Sequence, residues 1–432
     1  MKKIWNDTKG KYLIIGGGPA GLACAKNFLD FNIPFYAVEA SHDIGGVWDI
    51  TNSKSAMYES AHTISSKTNT EFADFPMNHS ADYPSHYAMK EYLDEYTNFY
   101  QLREHYSFDT EVQHVKKNSK GWLVQFENSS EYQFKGLVLA SGLYHTPYKP
   151  NFEGTFDGEI VHSFDYKSTD LFKDKKVLIV GGGNSACDIA VDAVKSAESV
   201  HWSTRRGYHY LPKFLFGTPT DLVGERLRFP IPIKRFISRI LTGISIGKPE
   251  DYGLEKPDHK LFEIHPVLNS LVLHHIRHGD IFPKVNIKRL DGKQVIFKDN
   301  TVETFDLILL ATGYKISYPF IEKKYLNWEN EVPNLFLNIF HPFDDDLFIA
   351  GLIESTAIGW EGKNKQAKLI ALYILNKDKN TRGFCKMNRH KSNGRTAMNG
   401  SINYKNLRRM GYYVNKRTYL KQLHKWSTML RI

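Results

Sequence analysis

The chain has 432 residues, an ordinary hydrophobic share for a soluble globular protein and a net charge of +10. That length suits two or three domains with buried cores. No apolar run reaches the roughly 18 residues of a membrane span, and no nucleic-acid motif accompanies the basic charge. Cys24, Cys187 and Cys385 form no C-x-x-C pair, which argues against a dithiol relay and fits a reducing, cytoplasmic setting. Met1 to Lys11 is polar rather than signal-like.

Tyr12–Ile15 reads as a short apolar strand turned by Gly16-Gly17-Gly18-Pro19-Ala20-Gly21, and Leu22–Phe31 has helical character. A second strand, Phe35–Val38, ends on Glu39. This is a βαβ unit with a dinucleotide fingerprint. Gly16 permits the tight turn, Gly18 lets backbone approach a pyrophosphate, and Gly21 lets helix and strand pack closely. The helix N-terminus offers N–H groups to phosphate, and Glu39 is placed to accept from an adenosine ribose. Gly45-Gly46-Val47-Trp48 follows. The double glycine lets the chain pass a flat ligand with Trp48 as a wall, or makes a turn around a core tryptophan.

Tyr83-Pro84-Ser85-His86 opens a predicted helix carrying Tyr92, Tyr96 and Tyr100, a stripe expected to serve packing. Residues 111–140 read as antiparallel strands, and Pro147 and Pro150 mark a crossover. The string Phe156-x-Gly158-x-x-x-His162-x-x-x-Tyr166 comes next. A second unit then starts: strand Lys176–Val180, turn Gly181-Gly182-Gly183-Asn184-Ser185-Ala186, a helix to about Ser196, and strand Ser199–Ser203.

The two units differ at one informative place. Glu39 lies 23 residues after Gly16, and the same offset from Gly181 reaches Thr204, within Ser203-Thr204-Arg205-Arg206. A carboxylate would repel a 2′-phosphate, whereas a guanidinium binds it. The first unit therefore suits FAD and the second NADPH, through Gly181, Gly183, Asn184, Ser185, Ser203, Thr204 and Arg205.

Within 207–265, Ile231–Leu241 is a predicted amphipathic helix. Ile233, Phe236, Ile237, Ile240 and Leu241 occupy one face, and Lys234, Arg235 and Arg239 the other. Its apolar face is expected to pack on the domain surface; capping a pocket and touching a membrane are the other readings. Val285–Phe297 and Thr301–Leu310 read as a hairpin leading into an apolar strand that ends at Ala311-Thr312-Gly313-Tyr314. Leu347–Gly351 is a further strand. Gly359-Trp360 then leads a helix through Gln366, and Arg408–Leu430 ends in a basic amphipathic helix.

These motifs resemble the flavin-containing monooxygenase family over nearly the whole chain, most weakly in 207–260. Both fingerprints, the string ending at Tyr166, Phe72-x-Asp74-Phe75-Pro76 and Ala311-Thr312-Gly313-Tyr314 carry the resemblance. It implies an α/β fold with two Rossmann-like dinucleotide-binding domains for FAD and NADPH, the FAD domain being discontinuous. The expected division is 1–168 with 305–432 for FAD, and 169–304 for NADPH with the 207–265 insertion. Gly46, Trp48 and Gln366 join Gly16, Gly18, Gly21 and Glu39 as expected FAD contacts.

The implied activity is oxygenation of an amine nitrogen or a sulfide with NADPH and O2, through a flavin hydroperoxide. His162 and Tyr166 are then linking residues rather than catalysts. A weak peripheral membrane contact and a homodimer remain open; nucleic acid is not an expected partner. One residue departs from the pattern. After Tyr58-x-Ser60-x-x-Thr63 the family usually has an asparagine, and here Ile64 stands there. That keeps an NADPH oxidase releasing hydrogen peroxide as an alternative, alongside a Baeyer–Villiger-type oxygenase.

Overall fold

The computed structural model describes residues 5, 7–127, 129–226, 229–394 and 396–431. Two five-stranded parallel sheets organise it. The first runs in the order Leu347–Ile349, Gly136–Leu139, Tyr12–Ile15, Phe35–Val38, Tyr106–Ser107. The second runs Ile281–Lys284, Ser199–Ser203, Lys176–Val180, Leu307–Leu310, Glu159–His162. Their central strands, YLII, GLVL and LILL, are buried throughout, as unbroken apolar runs covered on both faces must be. Helices Pro19–Asp30 and Gly359–Asp378 lie together beside the first sheet, joined where Asn27 donates to Asn364 at 2.8 Å.

The second sheet contains Glu159–His162 and Leu307–Leu310. Boundaries at 168 and 305 would assign both to the first unit. Backbone pairing with Lys176–Val180 captures them instead, so the chain changes sheet after 139 and again after 310. Smaller sheets include the antiparallel Val112–Asn118, Gly121–Phe126 and Glu131–Phe134, a four-stranded sheet around the hairpin Ile287–Gly292 with Gln294–Phe297, and the two-stranded hairpins Phe214–Leu215 with Thr218–Pro219 and Trp328–Glu329 with Val332–Pro333.

The tyrosine stripe is packing. The helix His86–Phe99 is capped by Ser85, whose hydroxyl accepts from the Ala88 N–H. Tyr92 and Tyr96 are buried, and Tyr96 stacks on Phe72 at 4.4 Å. On the helix Ile231–Ile246 the expected apolar face is split: Ile233, Phe236 and Ile240, with Ile244, are exposed, whereas Ile237 and Leu241 are half-buried. Two of its cations have partners on the protein side, and Arg239 is exposed. Lys234 donates to the Gly224 carbonyl, and Arg235 donates to the Leu261 carbonyl and to Glu263.

His162 and Tyr166 link the halves. The fully buried His162 donates from Nε2 to the Gly313 carbonyl and accepts from the Phe164 N–H at Nδ1. That is the neutral imidazole, and burial takes its pKa down to about 4 against the smaller opposing effect of the Gly313 bond. Tyr166 donates to Asp192, as does Ser60; Tyr58 donates to Asp188, which also accepts from Asn269. Lys167 donates to the Ser55 and Met57 carbonyls. The stretch 55–60 is thereby tied to the second unit's helix Asn184–Ala193.

Asp192→Ala removes the shared acceptor of Ser60 and Tyr166 and leaves two hydroxyls short of a partner. A loss of about 1–3 kcal/mol is expected, read as a lower urea midpoint. An unchanged midpoint would show that this junction contributes nothing.

Candidate functional site

The same local construction occurs at the end of each sheet's central strand. The Gly16 N–H donates to the Val38 carbonyl at 2.8 Å, and the Gly181 N–H to the Ser203 carbonyl at 3.0 Å. Both glycines have positive φ, +118° and +147°. A Cβ would lie 2.5 Å from the Ala140 carbonyl oxygen in the first and 2.3 Å from that of Ala311 in the second. Each turn carbonyl is held by an aromatic donor: Tyr106 to Gly16 at 3.3 Å, and Trp202 to Gly181 at 2.7 Å. Gly21 is the tightest point, where a Cβ would sit 1.8 Å from the Gly16 oxygen.

Gly18 and Gly183 are the N-caps of the helices Pro19–Asp30 and Asn184–Ala193, and neither helix has a side-chain cap. The first N–H groups are therefore available to an anionic ligand. Space at Gly183 is open, with nothing within 4 Å of a Cβ placed there. At Gly18 the nearest atom would be the Gly46 Cα at 3.6 Å. The Gly45 N–H donates to the Gly17 carbonyl at 3.0 Å, so the Gly45-Gly46 loop lies directly against the first turn. Trp48, half-buried, meets Trp360 edge-to-face at 5.7 Å.

Glu39 and Thr204 occupy equivalent strand ends. Glu39 is buried, and its carboxylate accepts from the Gly17 N–H at 2.5 Å and from the Ser41 N–H at 2.9 Å. Burial pushes its pKa up, and those N–H bonds work against the shift. Each oxygen keeps a second lone pair for a ribose hydroxyl. Thr204 is buried, while Arg205 and Ser185 are exposed beside the second turn. Arg206 is paired with Asp258 at 3.8 Å. The Tyr208 ring covers Gly182, so close that a Cβ there would fall 1.9 Å from it.

Three expected site residues have their side chains engaged. Ser203 is buried and donates to the Val285 carbonyl. Asn184 accepts from the Leu268 N–H at 2.7 Å. Gln366 is fully buried, its Oε1 accepting from the Gly351 N–H at 2.9 Å and its Nε2 donating to Tyr419 at 2.6 Å.

Ile64 is half-buried. Beside it the Thr63 hydroxyl is buried without a partner in the protein. Asn69 is committed elsewhere: its amide donates to Asp221 at 3.0 Å and its oxygen accepts from Lys416 at 2.9 Å. Asp221 also accepts from the Ser66 N–H and hydroxyl, both at 2.8 Å. The 207–265 insertion is thus clamped onto the segment following Ile64. Asp221 lies 155 residues from Ser66 in sequence, and no local pattern could have announced the contact.

Two glycine turns with free helix ends, one met by a carboxylate and one by an arginine, fit a flavoprotein that binds both FAD and NADPH. The sequence matches the flavin-binding monooxygenase-like family over residues 9–424, and the chain belongs to that family. It is a flavin-dependent monooxygenase, and its cofactors are FAD and NADPH. It is 33% identical to human flavin-containing monooxygenase 2 over 374 residues, covering 80% of this chain and 69% of the relative. Human flavin-containing monooxygenase 1 is 32% identical over 372 residues, covering 79% and 69%. Among solved structures, S-allyl-L-cysteine S-oxygenase from Allium sativum has a TM-score of 0.66 at 18% identity, covering 97% of this chain and 88% of that one. Cyclohexanone monooxygenase bound to ε-caprolactone has 0.72 at 15%, covering 97% and 98%. These structural likenesses establish the fold.

Gly18→Ala and Gly21→Ala should separate binding from folding. The first adds a methyl in ordinary contact with Gly46 and should leave stability nearly unchanged while lowering bound FAD, read from visible absorbance after desalting. The second drives Cβ into the Gly16 carbonyl and should lower the melting temperature, costing about 1–3 kcal/mol or more. Full flavin content in Gly18→Ala would remove the pyrophosphate from this turn.

Proposed function

We propose that this protein uses NADPH and O2 to oxygenate nitrogen or sulfur centres of small molecules. The observation that carries the reading is the family match over 9–424, with both nucleotide turns built as that chemistry needs. Relatives named as N-oxide-forming, such as dimethylaniline monooxygenase 2 of Pan troglodytes at 33% identity, favour a soft nucleophile over a ketone. When bound, FAD reduced by NADPH supplies the oxygen-activating chemistry; the protein supplies binding, orientation and exclusion of water.

In this reading the first turn, Gly16, Gly18 and Gly21, receives the FAD pyrophosphate, and Glu39 accepts from the ribose. Gly46 admits the flavin and Trp48 walls it. Gly181, Gly183 and Ser185 receive the NADPH pyrophosphate, with Thr204 and Arg205 at the 2′-phosphate. Ser203, Asn184 and Gln366 act through their present partners, as supports of strand, helix and loop. The apolar Ile64 offers no hydrogen bond, and the unpartnered Thr63 hydroxyl is the donor beside it. Release of hydrogen peroxide without product is the second reading, and Ile64 is the residue that favours it.

The test is NADPH consumption with and without amines, sulfides and ketones, measuring peroxide and product together. Product from an amine or sulfide supports the proposal. Peroxide alone with every substrate, or product from ketones only, overturns it.

Arg205→Ala should weaken NADPH by about tenfold or more, the scale of one lost bond to a charged group, and leave NADH nearly unchanged. Equal losses for both cofactors would give Arg205 a structural role. Ile64→Asn adds a donor where charge develops, and such donors are large electrostatic effects. It should raise the ratio of oxygenated product to peroxide by roughly tenfold, read in the same paired assay; an unchanged ratio would mean Ile64 does not limit coupling.

A further inference from the structure

A polar cluster around Glu354 and Arg409 lies on the edge of the fold where both glycine turns open. Glu354 follows the strand Leu347–Ile349, and Tyr144 follows Gly136–Leu139. Both strands run parallel to Tyr12–Ile15, which ends at Gly16. Tyr144 donates to Glu354 and meets Tyr314 edge-to-face at 5.6 Å. Tyr314 stands just past Leu307–Leu310, the second-sheet strand parallel to the one that ends at Gly181. Tyr208, the ring over Gly182, packs on the apolar group of Ile264, Met410 and Tyr413 beside Arg409. Ligands of parallel α/β sheets bind at the C-terminal ends of the strands, so the cluster occupies the ligand-binding edge of both sheets.

The charges of this cluster do not balance. Arg409 is paired with Glu354 at 3.0 Å, and its side chain is 39% exposed, so a ligand can reach it. Lys363, near the start of the helix Gly359–Asp378, is a second cation. Among the described residues it makes no hydrogen bond and no ion pair, and the charge that acts on it is that of Glu354. Burial takes the lysine's pKa down, and Glu354 works against that shift. His265 adds no charge, because burial and then the Arg409 guanidinium take its pKa down to about 3. One carboxylate therefore serves two cations. The Arg409 Nε and the His265 Nε2 are also buried without partners. Unpaired charge and unsatisfied polar atoms in a recess are costly, and an anion removes both costs. The surplus is a single positive charge, which matches a carboxylate rather than a doubly charged phosphate.

We propose that Lys363, with Arg409, binds the carboxylate of the substrate, so that the substrates of this protein are amines or sulfides that carry a carboxylate. The inference rests on the oxygenase reading for the turnover of such a substrate, though not for its binding. Glu354 has a defined part: it holds Arg409 and offsets its charge, leaving one positive charge for the ligand. A neutral amine or sulfide would leave Lys363 unpaired, so the site selects by charge.

The experiment is isothermal titration of the oxidised, FAD-loaded enzyme in NADP+ with (methylthio)acetate and with its methyl ester, which differ by one charge. Sulfoxide and peroxide are measured with the same pair under turnover. The wild type should bind the acid at least about tenfold more tightly than the ester, the scale of one charge-assisted bond. Lys363→Met should abolish that preference while bound flavin and melting temperature stay at wild-type values, and Lys363→Arg should keep it. Glu354→Gln removes the competing carboxylate and should tighten the acid further, a gain that misfolding cannot mimic. Equal affinity of the wild type for acid and ester, or an undiminished preference in Lys363→Met, would overturn the proposal; a shifted flavin midpoint potential in that variant would then place the lysine at the flavin. If Lys363→Met does not fold, weaker or unchanged acid binding by Glu354→Gln overturns it instead. Tight binding of the acid with peroxide and no sulfoxide would sink the oxygenase reading and support the carboxylate site. Sulfoxide from both compounds at equal affinity would do the reverse.

Discussion

Each half of the molecule depends on a helix that begins in contact with the strand before it. At Gly21 the approach leaves no room for a single methyl beside the Gly16 carbonyl oxygen. That closeness aims the N–H groups of Pro19–Asp30 out of the sheet end, where a phosphate can be met by backbone dipoles without a side chain. The constraint propagates. Gly16 must hold positive φ, the Ala140 carbonyl must pass beneath it, and the Gly45-Gly46 loop must close over it with no side chain between. The second half repeats the arrangement at Gly181 and relaxes it: Gly183 is open, and Tyr208 takes the place of a covering loop.

A polar junction ties the two halves together. Asp188 and Asp192 project from the helix of the second turn and receive hydroxyls from Tyr58, Ser60 and Tyr166. The first two belong to the chain between Trp48 and Ile64, so the helix that follows the second glycine turn holds that stretch in place. Burial disfavours charge on Asp188 and raises its pKa, and the hydrogen bonds from Asn269 and Tyr58 pull the other way. Polar contacts of this kind specify one arrangement more than they add stability.

What was legible in the sequence was local. The glycine turns, the acid-for-arginine exchange at the strand ends and the apolar strands are short-range patterns whose physics is complete within about thirty residues. The membership of Glu159–His162 and Leu307–Leu310 was not legible. An apolar strand carries no label for its sheet, and backbone pairing across more than a hundred residues decided it. The helix at 231–246 was visible, but its orientation was not. Amphipathic spacing says that one face differs from the other; the partners at Gly224, Leu261 and Glu263 decided which face turned inward. Gln366 is a similar case, since nothing adjacent in sequence shows that Gly351 and Tyr419 occupy its amide.

One junction brings three distant segments together near the end of the first sheet. Glu354 follows the strand Leu347–Ile349, accepts from Tyr144 at 2.5 Å and pairs with Arg409 at 3.0 Å. Burial alone would raise the Glu354 pKa; the Arg409 guanidinium holds it below the usual carboxylate range. Next to it Tyr413 bonds both Thr356 and His265, and the Lys405 N–H donates to the Glu263 carbonyl. The first unit, the insertion and the C-terminal segment therefore meet through charges and hydroxyls. An apolar junction would be as stable or more so, but it would tolerate sliding. Directed bonds fix the insertion against the first unit at this junction, as Asp221 fixes it at Ser66. With both attachments set, the insertion is held as a wall over the chain beside Ile64, and its outer face is left to carry the exposed helix.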